Sequence, residues 1–137
     1  MVIEMSWEKH RRDDAQTDAS TPAMSFRKTG IAFNAELVRL AHANQLKRAT
    51  LYFDSEAKRV GVEFHGRTKD RDAYAVTLDG GGSGKAGGRW IQVSRIYQTY
   101  PWLGAILKQP TARRRFHVRL DDSKNLWFAD VVREKIA

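Results

Sequence analysis

A strand–turn–strand pattern written twice constrains this chain more than any other feature. LYFDSEAKRVGV at 51–62 sets two alternating runs around DSEA. VRLDDSKNLWF at 118–128 repeats that layout, with one residue fewer in the second turn. Within KRVGVEFH at 58–65, Val60, Val62 and Phe64 fall on one side and Gly61, Glu63 and His65 on the other. That period of two is what a half-buried strand requires. Paired hairpins of this kind build antiparallel sheet.

The remaining segments fill out two units. MSFRKTGIAF at 24–33 reads as two short strands or one bent strand about Gly30. Asn34 then offers a side-chain cap to the helix AELVRLAHA, with Leu37, Leu40 and Ala41 on one face. AYAVTL at 73–78 alternates again, with Tyr74, Val76 and Leu78 on a common side. WIQV at 90–93 is followed by the capping residue Ser94 and by RIYQTY, which Pro101 stops or bends. Setting Asn34 against Ser94 aligns IAF with IQV, so each unit reads strand–strand–helix–strand–strand. The expected fold is α+β, mainly antiparallel sheet with two short helices, as two related units in one domain over 24–131. Residues 1–23 read as a flexible lead-in, from which Trp7 could dock back on the domain, and 132–137 as a tail. DGGGSGKAGG at 79–88 reads as a flexible glycine-rich loop. Short hairpins leave edge strands that need covering, so a homodimer is expected.

Composition narrows the function. Cysteine is absent, which excludes disulfides, thiolate metal sites and cysteine nucleophiles. No apolar run approaches the roughly 18 residues of a membrane span, and MVIEMSWEKHRRDDAQTD lacks a secretory h-region. A cytoplasmic protein without membrane association is expected. The formal charge is +8, and the surplus lies in the last part, where residues 80–137 carry eleven basic and four acidic side chains. A charge so placed attracts polyanions, of which nucleic acid is the commonest in a cytoplasm.

KTGIAFNAELVRL followed by ATLYFDSEAKRVGVEF resembles a group of small bacterial and phage proteins. In its layout of hairpins and helices the chain is similar to the PC4 and Whirly class of single-stranded-DNA-binding proteins. The resemblance implies curved antiparallel sheets that carry basic and aromatic side chains, with helices helping to form the oligomer. It also makes Arg27 and Lys28 secondary nucleic-acid contacts.

No enzyme constellation emerges. GGGSGKAGG fails the phosphate-loop pattern, because Ala86 stands where a magnesium-binding hydroxyl belongs. KTG at 28–30 lacks the partner motifs of penicillin-binding enzymes. The four histidines are scattered, and Asp54, Glu56 and Glu63 read as solvated acids rather than a nuclease centre. The stronger signal is RRRFHVRL at 113–120. Alternation turns Phe116, Val118 and Leu120 inward and sets Arg115, His117 and Arg119 in register on one outer face, beside Arg113 and Arg114. In the paired strand Leu126 and Phe128 turn inward and Trp127 outward. Arg115 and Arg119 lie about 13 Å apart, a spacing that could track a phosphate backbone, and an exposed Trp127 could stack on a base. Two other readings stay open: a dimer interface, or Trp127 in the core with the register shifted by one. Lys85 and Arg89 edge the glycine loop and could close over a bound strand. Tyr97, Tyr100 and Trp102 read as packing residues. The expected function is non-enzymatic binding of single-stranded DNA or RNA with little sequence specificity, without metal or cofactor. The alternative is a structural or assembly protein of a phage or mobile element that acts through protein contacts.

Overall fold

The computed structural model describes residues 21–66, 70–78 and 87–131. The lead-in up to residue 20, with Trp7, most of the glycine loop and the tail at 132–137 lie outside the described residues. The chain runs β1 (Ala23–Arg27), β2 (Gly30–Phe33), α1 (Ala35–Ala41), β3 (Arg48–Asp54) and β4 (Arg59–His65). It continues β5 (Tyr74–Ala75), β6 (Thr77–Leu78), β7 (Arg89–Gln92), α2 (Ile96–Thr99), α3 (Pro101–Gly104), two 3-10 turns, β8 (Arg115–His117), β9 (Arg119–Asp121) and β10 (Leu126–Asp130). The strands form two five-stranded antiparallel sheets, β6-β7-β2-β1-β8 and β5-β3-β4-β10-β9. The α+β architecture expected from the sequence is the one observed.

Inward residues of both sheets share one core. Met24, Phe26, Ile31, Phe33 and Ile91 come from the first, Val60, Val62 and Phe64 from the second. The rings of Phe33 and Phe64 meet edge to face across it, 5.1 Å apart. The sheets are also joined covalently. β5 turns into β6 at Val76, and β8 into β9 at Val118, and both valines are buried. Each edge strand is therefore two or three residues long and bends round a corner into the opposite sheet. Open edges, the reason to expect a homodimer, are short among the described residues.

The duplication is visible in the hydrogen-bond register. Ile31 stands opposite Ile91, flanked by the pairs Gly30–Gln92 and Ala32–Trp90. Exchanging 30, 31 and 32 for 90, 91 and 92 returns the same pairs, so a pseudo-two-fold axis passes here. In the second sheet Gly61 stands opposite Phe128, flanked by Val60–Ala129 and Val62–Trp127. Exchanging 60, 61 and 62 for 127, 128 and 129 again returns the same pairs. The outer strands obey the same relation, with Met24 opposite Phe116 and Tyr74 opposite Ala49.

This symmetry corrects the sequence alignment. The turns after Asp54 and Asp121 have equal length, and each ends in a left-handed residue, Lys58 (φ 58°) and Asn125 (φ 51°). Supposing one residue fewer in the second turn slips β10 by one position and inverts every side chain on it. Trp127 and Ala129 face inward, while Leu126 and Phe128 face out. Leu120 lies on the inward side opposite Trp127, but at the sheet edge it is 38% exposed.

Helices close the ends of the sandwich. Asn34 Oδ1 accepts from the N–H groups of Leu37 and Ala23, both at 3.0 Å, so one side chain caps α1 and ties it to β1. The buried face of α1 is Leu37, Val38 and Ala41; Leu40 is exposed instead. Ser94 is not a side-chain cap: the N-cap of α2 is Arg95, with no side-chain capping hydrogen bond. Pro101 ends α2 and opens α3. Tyr100 stacks on Phe53 at 4.2 Å, and the Trp102 indole donates to Ser55 Oγ. YQTYPW thus pins the helical segment to the first hairpin.

Candidate nucleic-acid interface

Antiparallel pairing aligns side chains in straight rows across a sheet. On the exterior of the first sheet one such row runs Arg115–Ser25–Ala32–Trp90–Thr77. The neighbouring row runs Arg27–Gly30–Gln92. The centre of this surface is made of small residues for a steric reason. A Cβ on Gly30 would lie 2.6 Å from ring carbons of Trp90 and 2.2 Å from the Ile91 carbonyl oxygen. The indole therefore lies across bare backbone and is half-buried.

Basic side chains gather along the β1–β8 side and around the β1–β2 turn. Arg27 and Lys28 are exposed in that turn. Val93 N–H donates to Thr29 O, and the Tyr97 hydroxyl donates to Gly30 O, so exposed Arg95 follows next to the turn. Burial pushes the Tyr97 hydroxyl far above its ordinary value, while Arg114 nearby opposes the shift. Phe26 N–H donates to Arg114 O, which sets Arg113 and Arg114 beside the end of β1. The Arg114 guanidinium donates to the carbonyls of Gln109 and Leu107, fixing the loop that exposes Lys108. Arg115 is half-buried, and desolvation lowers its pKa. His117, exposed, extends the same side.

The structure thus brings together Arg27, Lys28, Arg113, Arg114, Arg115 and His117 from the sequence prediction. It separates the others. Arg119, past the corner at Val118, belongs to the second sheet, where it bonds Asp130 together with Arg59. Those two guanidiniums lie 4.9 and 5.4 Å from the Phe128 ring. The expectation of one outer face for Arg115, His117 and Arg119 is corrected by that bend. Trp127 packs against the core, so it is no stacking platform. Arg89 sits half-buried at the opposite end of β7 and donates to Gly88 O. Lys85 lies outside the described residues.

Sequence reading missed Trp90, Arg95 and Lys108. A usable signal exists: no Asp or Glu occurs between Asp79 and Asp121. All of β7, α2, α3 and β8 come from that acid-free stretch.

The acids converge elsewhere, on the exterior of the second sheet. Thr50 Oγ1 donates to Asp70 at 2.7 Å and lies 3.1 Å from His65 Nε2. Glu63 accepts from Tyr52 and lies 3.3 Å from His65. The Thr50 hydroxyl, helped by the Asp72 N–H, holds the Asp70 carboxyl below its ordinary pKa. Asp54 Oδ1 accepts from the backbone N–H groups of Glu56 and Ala57. Among the described residues no three His, Asp or Glu side chains are placed to hold a metal ion. No helix of the described residues is long and apolar enough to cross a membrane.

Searched against family models, curated proteins and solved structures, the chain matches none.

Proposed function

We propose that this protein binds single-stranded nucleic acid, without catalysis and with little sequence preference, on the exterior of the first sheet. The observation that carries this reading is the Trp90 indole, laid on Gly30 and bordered by an arginine-rich, acid-free flank. An indole laid on the sheet and still partly exposed can take any base, since every base has a π-face, and such stacking contributes about 1–3 kcal/mol. Arg27, Lys28, Arg113 and Arg115 supply the sequence-independent attraction to phosphate. Single strands suit the surface better than duplex, because a paired base keeps its faces inside its own stack. The resemblance to the PC4 and Whirly class points the same way.

Fluorescence polarisation of labelled oligothymidine and oligouridine, titrated at several salt concentrations, tests the proposal. Saturable binding that weakens with salt is expected, and Trp90→Ala should lower affinity with little change in salt slope. No saturable binding to either polymer at low salt, from folded protein, would sink it.

A second reading, an assembly role through protein contacts, draws on the exterior of the second sheet. There Tyr52 is 47% exposed beside Leu126 and Phe128, around a cavity of about 220 Å³. Arg59 and Arg119 share the Asp130 carboxylate, which offsets half of their charge, so this face attracts phosphate less than the arginine-rich flank of the first sheet does. Failure of the titrations would leave that role in front.

A further inference from the structure

The pseudo-two-fold axis relates more than strands. It carries the hydrogen bond from Phe26 N–H to Arg114 O onto the one from Val76 N–H to Lys47 O, both 2.9 Å long. It carries the pair Ser25–Arg115 onto Ala75–Arg48. The basic dipeptide Arg114–Arg115 at one edge of the first sheet therefore has a counterpart, Lys47–Arg48, reached across the opposite edge. Both members of the second dipeptide are exposed.

Resting on the function proposed above, we infer that Lys47 and Arg48 form a second phosphate-binding corner. The bound strand then crosses the β-strands from Arg115, over Trp90 midway, and rounds the bend at Val76 to reach Arg48 on the second sheet. The rows support that path. Gln92 lies on β7 beside Trp90, β7 packs against β5, and Ala75 of β5 is exposed and paired with Arg48. Among the described residues, Ala75, Gly30, Ala32 and Ser25 line the way between the two corners with small side chains. The path ends at Arg48, because Thr50, the next exterior residue of β3, is held by Asp70, with Glu63 opposite it.

Length follows from geometry. Five inter-strand steps of about 4.8 Å separate Arg115 from Arg48, about 24 Å along the surface. At roughly 6 Å per nucleotide of an extended strand, that distance takes about four or five nucleotides, at the low end of site sizes for such proteins.

A ladder of oligothymidines from about two to about ten nucleotides, titrated against the full chain, tests this. Wild-type affinity should climb to about five nucleotides and then level off. The double variant Lys47→Ala/Arg48→Ala should bind the shortest oligomers as wild type does and lose about tenfold on the longer ones. Its salt slope should fall by about 1.4, for two single-strand phosphates. Arg39→Ala/Lys124→Ala removes the same charge away from the path and should change neither length dependence nor slope. Urea midpoints confirm that both variants remain folded. If wild type binds but the first double variant keeps its plateau and slope, or the control loses as much, the second corner is refuted and the parent function stands. If wild type binds no oligomer at all, both fall together.

Discussion

Substituting Gly30 by alanine tests the placement of the indole on the sheet with a single methyl group. The added Cβ would sit 2.6 Å from Trp90 ring carbons and 2.2 Å from the Ile91 carbonyl oxygen. The ring can swing away, but the carbonyl belongs to the β2–β7 ladder at the pseudo-two-fold axis and cannot move without breaking it. Overpacking of a well-packed site costs typically 1–3 kcal/mol, and the backbone contact puts this one at the upper end, about 3 kcal/mol. With a urea m-value of about 1.5 kcal/mol/M, the midpoint should fall by about 2 M. Gly61→Ala is the comparison. The three atoms nearest its Cβ would all belong to the Leu126 side chain, at 3.0 Å, and a leucine can rotate, so about 1 kcal/mol or less is expected. Urea unfolding followed by far-ultraviolet circular dichroism measures both. Equal midpoints for Gly30→Ala and wild type would refute the close approach of Trp90 to the β2 backbone, and with it the platform.

Trp127→Ala should destabilise the fold by about 3–5 kcal/mol, as loss of a large packed aromatic does, while the folded fraction keeps its oligonucleotide affinity; Trp90→Ala should show the reverse, and calorimetry with polarisation titrations separates them. Asn34→Ala removes an acceptor shared by two backbone N–H groups and a donor to Thr21 O at 2.7 Å, so thermal unfolding should reveal a loss of about 2 kcal/mol. The Asp70 carboxyl is held below its ordinary value in the folded state, so its contribution is present above about pH 4 and lost as pH falls through the lower folded pKa. Thr50→Val removes the main cause of that shift, so its urea midpoint should depend less steeply on pH in the acid range, and an unchanged slope would count against the Thr50–Asp70 bond.

How much of this was legible in the sequence differs by element. The first hairpin was fully so, because Val60, Val62 and Phe64 alternate with small or polar residues and admit one register only. β10 was not. In LWFAD three bulky apolar residues stand together, so both registers bury something large, and turn length alone decides between them. The clue that would have decided it, a left-handed residue at Lys58 and Asn125, is backbone geometry that neither residue type announces. The bend at Val118 was equally hidden, since alternation continues straight through it. Only the partner strands change, β1 before the valine and β10 after. The charge asymmetry pointed to the part of the chain that carries the candidate interface, yet Trp90 went unnoticed, because its placement depends on a glycine sixty positions earlier.

That dependence also explains how a duplicated fold can hold a single central indole. On the pseudo-two-fold axis the two central positions exchange with each other: Trp90 maps onto Gly30, and Gln92 onto Ala32. Two indoles could not occupy both, since the ring on β7 already fills the space that a side chain on residue 30 would need. An aromatic at one position therefore demands glycine at the other, and asymmetry at the axis follows from sterics alone. The flanks face no such conflict, being far apart, and there both copies retain basic dipeptides. One central ring with two outlying cationic corners is what duplication yields when the middle must be shared and the ends need not be.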